Sequence, residues 1–325
     1  MTPLDRRRFL EISAAGAGLL AAGLEAAGAP ERLSAAQPNG TAASGQSSAA
    51  GKPMPLGIII GVDKNADAAI GRVHELGVPT CQVGASTYGP EAAAKLQAAL
   101  QRYSIEATAL VVTGPGPEEY DFYHGPLTIG LVPPQYRAER IEHFKKASDF
   151  AKTLGIPALQ GHCGFIPENP NDPLYGEVVK AIREVAGYCR ENGQKFRYET
   201  GQETPITMLR AIEDVGLDNQ GVNFDCANLI MYGKANPVDA LEVIGRHVQG
   251  VHAKDGRYPT DPRKLGEEVP IGQGHVDFPR VIASLKNLGY RGAITIEREI
   301  SGPKQIEDLK KEKAYLEDII TRAWA

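Results

Sequence analysis

From residue 56 onward, short β-branched apolar runs alternate with longer stretches in which apolar residues recur every three or four positions. Runs of the first kind occupy 56–62, 80–85, 107–113, 158–162, 196–200, 222–225, 248–253 and 293–297, and each has the length of a strand. Between them, 137–154 places Ile141, Phe144, Ala147, Phe150 and Ala151 at helical spacing, and 177–192 reads the same way. Several helical stretches run into a glycine, at Leu76-Gly77, Leu154-Gly155, Asn192-Gly193 and Leu288-Gly289, where a left-handed residue closes a helix before the next strand. Eight strand-helix units predict an α/β fold, a (β/α)8 TIM barrel formed by one domain over 54–325. An open doubly wound sheet fits the alternation too, but it calls for a Gly-rich phosphate loop after the first strand, and the residues there are Gly61-Val62-Asp63-Lys64-Asn65. Long connections at 114–133 and 256–276 follow the third and seventh strands, on the face where barrel chemistry sits, and are candidates for a lid or for specificity elements.

The chain before this pattern reads differently. Asp5-Arg6-Arg7-Arg8-Phe9-Leu10-Glu11 precedes an Ala/Gly/Leu-rich stretch at 12–29 and small residues at 34–36, the layout of an export signal and its cleavage site. The arginines followed by Phe-Leu resemble a twin-arginine signal, from which Asp5 and Glu11 depart. The expectation is a signal peptide at 1–36, a flexible linker of Gly, Ser, Ala, Pro and Gln at 37–53, and a periplasmic mature protein, with an uncleaved membrane anchor as the alternative.

Composition narrows the class. Of 325 residues, 42% are hydrophobic and 23% charged, with 36 Gly and 23 Pro, which fits a globular chain with many turns and excludes a disordered or collagen-like one. A formal charge of −5 without a long basic run lacks the footprint of a non-specific nucleic-acid binder. Cys81, Cys163, Cys189 and Cys226 show neither metal-ligand spacing nor a dense disulfide pattern and are expected as buried thiols, a single bridge being the alternative.

Ionisable groups change the picture most. Arg197-Tyr198-Glu199 ends the fifth strand, Asn223-Phe224-Asp225 the sixth, Gly250-Val251-His252 the seventh and Thr295-Ile296-Glu297 the eighth, so a barrel brings all four to one mouth. A single strand-end carboxylate more often bonds a neighbouring loop. Four on consecutive strands favour ligation, because charges are rarely buried together unless they are paired or hold a metal. Three carboxylates and an imidazole suit one divalent ion, Mn2+, Co2+ or Mg2+ with Zn2+ as an alternative, better than a structural zinc site, which prefers thiolates.

In their settings Tyr198-Glu199-Thr200-Gly201, Asn223-Phe224-Asp225-Cys226-Ala227-Asn228-Leu229, Val251-His252-Ala253-Lys254-Asp255 and Ile296-Glu297-Arg298-Glu299, these residues resemble the metal site of the xylose isomerase-like superfamily. That superfamily includes the sugar 3-epimerases, hydroxypyruvate isomerase and inosose dehydratase. The segment Pro270-Ile271-Gly272-Gln273-Gly274-His275-Val276-Asp277-Phe278 is similar to a recurrent one there, and the resemblance runs over roughly 56–322. It implies a metal-dependent sugar isomerase or epimerase in which Glu199 and Glu297 are the acid/base pair while the metal polarises substrate oxygens and stabilises an enediolate. The 3-epimerases carry a His shortly after the strand-six Asp and an Arg beyond the strand-seven His. Here Asn228 takes the first region and Lys254, Asp255 and Arg257 the second, a departure from the ketose 3-epimerases.

His162, in Gln160-Gly161-His162-Cys163-Gly164, is a candidate for substrate contact or proton shuttling, with a structural role as the alternative. Gln202 and Glu203 follow Glu199 on one loop; Glu203, Asn228, Lys254, Asp255 and His275 complete the expected substrate-binding set. A rim ion pair accounts equally for Lys254 and Asp255, and a helix N-terminus for Glu203. His275 precedes Asp277, which reads as the N-cap of a helix containing Pro279, while His74, His143 and His247 fall in outer helices. A second function class shares the site: a lyase, dehydratase or hydrolase acting on keto-sugars or 3-keto-glycosides, in which proton loss beside the carbonyl expels a leaving group. A DNA-repair endonuclease on this fold needs more strand-end histidines, and a non-catalytic sugar-binding barrel would betray itself by a missing ligand. The expected partner is a small carbohydrate, with no nucleic acid and no lasting membrane span; assembly into a homo-oligomer is compatible with this picture.

Overall fold

Helices begin where the sequence supplies a cap or a proline. Pro90, Pro134, Pro173, Pro205, Pro237 and Pro303 each take the first helical position, where the missing N–H costs nothing. Asn65, Asp172, Thr204, Asn236 and Asp277 accept a backbone N–H of the first turn. The computed structural model describes residues 53–63 and 65–325. The expected signal at 1–36, and all but the last residue of the expected linker at 37–53, lie outside the described residues.

Eight parallel strands alternate with these helices: β1 (Leu56–Gly61), β2 (Thr80–Gly84), β3 (Glu106–Val111), β4 (Ala158–Gly161), β5 (Lys195–Glu199), β6 (Gln220–Asp225), β7 (Val248–Ala253) and β8 (Ile294–Ile296). They pair in chain order and β8 returns to β1, closing a single-domain TIM barrel. All eight expected runs are therefore strands. Gly77, Gly155, Gly193 and Gly289 end their helices with φ of 67°, 68°, 75° and 80°, and a Cβ there would meet nothing within 4 Å, so backbone angle rather than space selects glycine.

Outward strand residues pack beneath the helices. Phe196 and Tyr198 of β5 stack edge to face at 5.4 Å, and Phe144 of the helix Pro134–Thr153 meets Phe196 at 5.9 Å. Each such side chain contributes about 1.5–3 kcal/mol by leaving water. Cys81, Cys163, Cys189 and Cys226 are buried free thiols, so the bridge alternative is not taken. Inward, the barrel is unusually polar. Where branched aliphatics normally fill the layers, Gln82, Gln160, Glu199, Asn223, Asp225, His252 and Thr295 stand nearly inaccessible to solvent. Register shifts between Cys81 and Gln82 and between Val222 and Asn223 locally re-aim two of these residues.

Both long connections carry structure of their own. The one after β3 includes the one-turn helix Gly125–Thr128 and is pinned by Arg140, a fully buried side chain that donates to Pro115 O (3.0 Å), Gly130 O (2.7 Å) and Pro117 O (2.9 Å). The one after β7 is closed by a two-residue antiparallel ladder between Asp255–Gly256 and Glu268–Val269. No helix among the described residues is long and apolar enough to cross a membrane.

Candidate metal centre and active site

Glu199, Asp225 and His252 come from the ends of β5, β6 and β7, and Glu297 follows β8 by one residue. Cross-strand register aligns Asp225 with His252 and His252 with Thr295, so alternation turns His252, Asp225 and Glu297 into the same lumen. One ligand atom from each of the four lies within 4.8 Å of the others. Donors on opposite sides of a cation at about 2.1 Å stand about 4.2 Å apart, so a small inward adjustment places all four on one ion. His252 Nδ1 sits 3.0 Å from Glu297 Oε2, 3.5 Å from Glu199 Oε1 and 3.6 Å from Asp225 Oδ2.

Two observations fit this set to a divalent cation. Asp225 Oδ2 is buried without a hydrogen-bond partner among the described residues, and His252 Nδ1 is crowded by carboxylate oxygens at 3.0–3.6 Å. Leaving a buried polar atom unsatisfied costs about 1–3 kcal/mol, more when charged, unless an ion takes it up. Asp225 Oδ1 is already committed to the backbone N–H of Asn228 (2.8 Å), which caps the short helix Cys226–Met231 and leaves the other oxygen directed at the cluster. The electrostatics agree: burial pushes the Asp225 carboxyl up to about 6, although Lys254 and His252 oppose the rise. Burial disfavours the His252 cation, yet the carboxylates of Glu297, Asp225 and Glu199 raise its pKa well above the usual histidine range.

The remaining candidates divide. His162 comes within 3.4 Å of Glu199 Oε1 through Nε2 and is nearly buried. Lys254 is not on the rim: its ammonium is buried, 3.6 Å from Glu297 Oε2 and 4.0 Å from Asp225 Oδ2, and it bonds Glu299 and Asn228 Oδ1 (3.3 Å). Asn228 thus holds Lys254 against the carboxylates. His275 is exposed, its backbone N–H bonded to Gly256 O at 2.9 Å, and it stands outside the four-residue cluster.

Asp255, expected either to contact substrate or to form a rim ion pair, is engaged with the loop backbone instead of with a cation. Its Oδ1 accepts from the N–H groups of Gly256 (2.8 Å) and Val276 (3.0 Å), and its Oδ2 from those of Gly272 and Gly274 (both 2.9 Å), so both oxygens are spent on the loop backbone. A Cβ at Gly274 would lie 2.1 Å from Asp255 Oδ1, which makes glycine obligatory for that approach.

Glu203 and Gln202 are buried, and neither side chain has a hydrogen-bond partner among the described residues. Burial drives the Glu203 carboxyl from 4.5 up to about 8, so it is a neutral acid at pH 7. The unfolded chain releases this proton near pH 4.5 while the native one keeps it to about 8, so stability falls as pH rises through that window, by at most about 1.4 kcal/mol per unit. Glu203→Gln should flatten the corresponding part of the stability profile, gaining on the parent at pH 8 relative to pH 5 in urea melts. Parallel profiles for the two proteins would refute the assignment.

Sequence reasoning missed the aromatic walls. The Tyr120 ring stands 5.9 Å from that of His162, and Tyr232 packs edge to face against Phe165 (5.9 Å) and Phe122 (6.5 Å). A Cβ on Gly201, two residues past Glu199, would touch Tyr232 at 3.3 Å, so that ring borders the site. Tyr120, Phe122 and Phe165 come from connections after β3 and β4 with no periodicity to announce them. The one available signal was the length of 114–133.

Comparison with known proteins agrees with this fold. A profile of the xylose isomerase-like TIM barrel matches residues 70–319. The crystal structure of a xylose isomerase domain protein from Planctomyces limnophilus is 35% identical, covers 83% of this chain and 97% of its own, and superposes with a TM-score of 0.76. A xylose isomerase-like TIM barrel protein from Mycobacterium smegmatis, solved in complex with magnesium, shares the fold at 17% identity, with coverage of 86% and 100% and a TM-score of 0.64. L-ribulose-5-phosphate 3-epimerase from Shigella boydii is 28% identical over 190 residues, 54% of this chain; the match spans 61% of that relative's length. Sugar epimerases are thus among its homologues, and the chain belongs to the xylose isomerase-like TIM-barrel family.

Proposed function

We propose that this protein is a divalent-metal-dependent sugar isomerase or epimerase that moves a proton at a carbon next to a carbonyl. The observation that carries the reading is that Glu199 and Glu297, from different strands, both reach His252 Nδ1, at 3.5 and 3.0 Å, within one buried cluster of four potential ligands. Glu199, Asp225, His252 and Glu297 would hold the cation; Mn2+, Co2+ and Mg2+ suit the donors best. Bound there, it supplies Lewis-acid polarisation of the substrate oxygens. The protein does the rest. One glutamate takes the proton from the substrate carbon and the other returns a proton, each confined to its own side of the cluster. His162, beside Glu199, relays protons to that carboxylate, and Lys254, beside Glu297, offsets negative charge as it develops. The buried surroundings strengthen each of these interactions.

A second reading rests on Tyr120, Phe122, Phe165 and Tyr232. Aromatic walls beyond the carboxylates suit a substrate larger than a free monosaccharide, and on a keto-glycoside the same proton abstraction expels the group attached at the next carbon. We further propose export by the twin-arginine route, on the basis of residues 5–36 alone.

One experiment separates the two chemistries. Protein stripped with a chelator and reloaded with Mn2+, Co2+ or Mg2+ is incubated in deuterated water with free ketoses, inosose-like ketones and 3-keto-glycosides, and products are followed by NMR. Metal-dependent deuterium beside the carbonyl with all groups retained supports isomerisation or epimerisation. Release of an aglycone or water supports elimination or hydrolysis, and no metal-dependent change in any substrate overturns both.

A further inference from the structure

His252 has two ring nitrogens in contrasting surroundings. Nδ1 faces the carboxylates of Glu297, Glu199 and Asp225, whereas Nε2 points across the lumen to β2 and β4, where Gln82 Oε1 lies 2.5 Å away and Gln160 Nε2 3.1 Å away. The Gln160 amide has its shorter contact, 2.6 Å, to Gln82 Oε1, which leaves Gln82 as the nearer partner of the ring. The orientation of that amide follows from its other contacts. Gln82 Nε2 donates to Asn223 Oδ1 (3.4 Å), and Gln82 Oε1 also receives Gln160 Nε2 (2.6 Å). All four side chains are buried, and Gln82 and Asn223 both follow register shifts that turn them into the lumen. A neutral imidazole carries one N–H and one lone pair, and an acceptor at Nε2 keeps the proton there. The carboxylates favour the opposite tautomer, with the proton at Nδ1, which would block ligation.

We propose that Gln82 is a positioning residue for the metal centre, fixing His252 in the Nε2–H tautomer so that Nδ1 presents its lone pair to the cation. Gln160 and Asn223 orient the Gln82 amide and thereby extend the support across β4 and β6. The inference rests on the reading that Glu199, Asp225, His252 and Glu297 hold a divalent ion. Partners of this kind to a ligating histidine are worth about 10–100-fold in metal affinity.

The test compares full-length parent, Gln82→Met and Gln82→Glu, each checked for folding by circular dichroism and thermal melting. Affinity for Mn2+ is measured by competition with a chromophoric chelator, and the His252 ring is observed by 15N NMR in the Mg2+-loaded parent. The expected result is binding about 10–100-fold weaker for Gln82→Met, which keeps the volume without the amide acceptor, and recovery in Gln82→Glu, which keeps an acceptor. The loaded parent should show a proton on Nε2 and none on Nδ1. Equal affinity in the parent and a folded Gln82→Met overturns this inference and leaves the metal reading standing, whereas a proton on Nδ1 of the loaded parent overturns both, since a protonated nitrogen cannot ligate. A parent that binds no divalent ion overturns both. Should Gln82→Met fail to fold, the Nε2 proton of the loaded parent decides: slow solvent exchange and a downfield shift mark its bond to Gln82 Oε1, and rapid exchange overturns the inference.

Discussion

Glu297→Gln should lower turnover by about 10²–10⁴-fold at saturating cation, and Glu199→Gln should do the same. The neutral amide keeps the shape and an oxygen donor but can no longer accept a proton at reacting carbon. Because each glutamate serves its own side of the cluster, the two losses are distinguishable. With a pair of epimers in deuterated water, either variant should still exchange the proton of one epimer while interconversion stops, and the two variants should retain exchange in opposite epimers. Glu299→Gln is the control: its carboxylate touches Lys254 rather than the four-residue cluster, so both exchanges should survive. Loss of the same exchange in both glutamate variants would remove the division of labour proposed for them.

Cation loading should stabilise the fold as strongly as it activates the enzyme. Three buried carboxylates converge here with His162, His252 and Lys254 around them, and an ion that binds the native state alone adds about 2.7 kcal/mol at a concentration one hundred times its Kd. For a domain of this size that corresponds to roughly 5–10 °C in melting temperature. The gain should vanish with chelator. It should also shrink below about pH 6, because the Asp225 carboxyl, pushed up to about 6 by burial, must give up its proton before it can ligate. Calorimetry across pH 5–8 with and without Mn2+ reads both effects; a melting temperature indifferent to the ion would contradict the metal reading.

What the sequence disclosed depended on how local the determining interactions were. The strands and helix stops were legible because alternation, prolines, caps and glycines act within a few residues. Glu199, Asp225, His252 and Glu297 were legible because each ends a strand, and barrel closure does the remaining assembly. The Gln82 contact was not: its partner His252 is 170 residues away, and one polar residue inside the run Thr80–Gly84 has no periodic signature. Lys254 and Asp255 are adjacent in sequence and both buried, yet one faces the carboxylates and the other the loop amides. No spacing rule separates them, since the difference lies in which backbone N–H groups the connection after β7 brings back.

That connection has a bearing on how new specificities arise. The ladder between Asp255–Gly256 and Glu268–Val269, with the Asp255 clamp on 272–276, brings the two ends of 257–267 together before any residue between them is specified. Closure is thus settled by the frame, and lengthening an already closed loop adds little entropic cost, about 0.6 kcal/mol per doubling. Segment 257–267, which carries the exposed Tyr258, extends Arg263 over the Tyr123 ring and is tied to the turn after Met231 through Gly266 N–H and the Tyr258 hydroxyl, is expected to accept sequence change while the barrel and its candidate ligands stay fixed. Directed evolution toward other substrates would begin there.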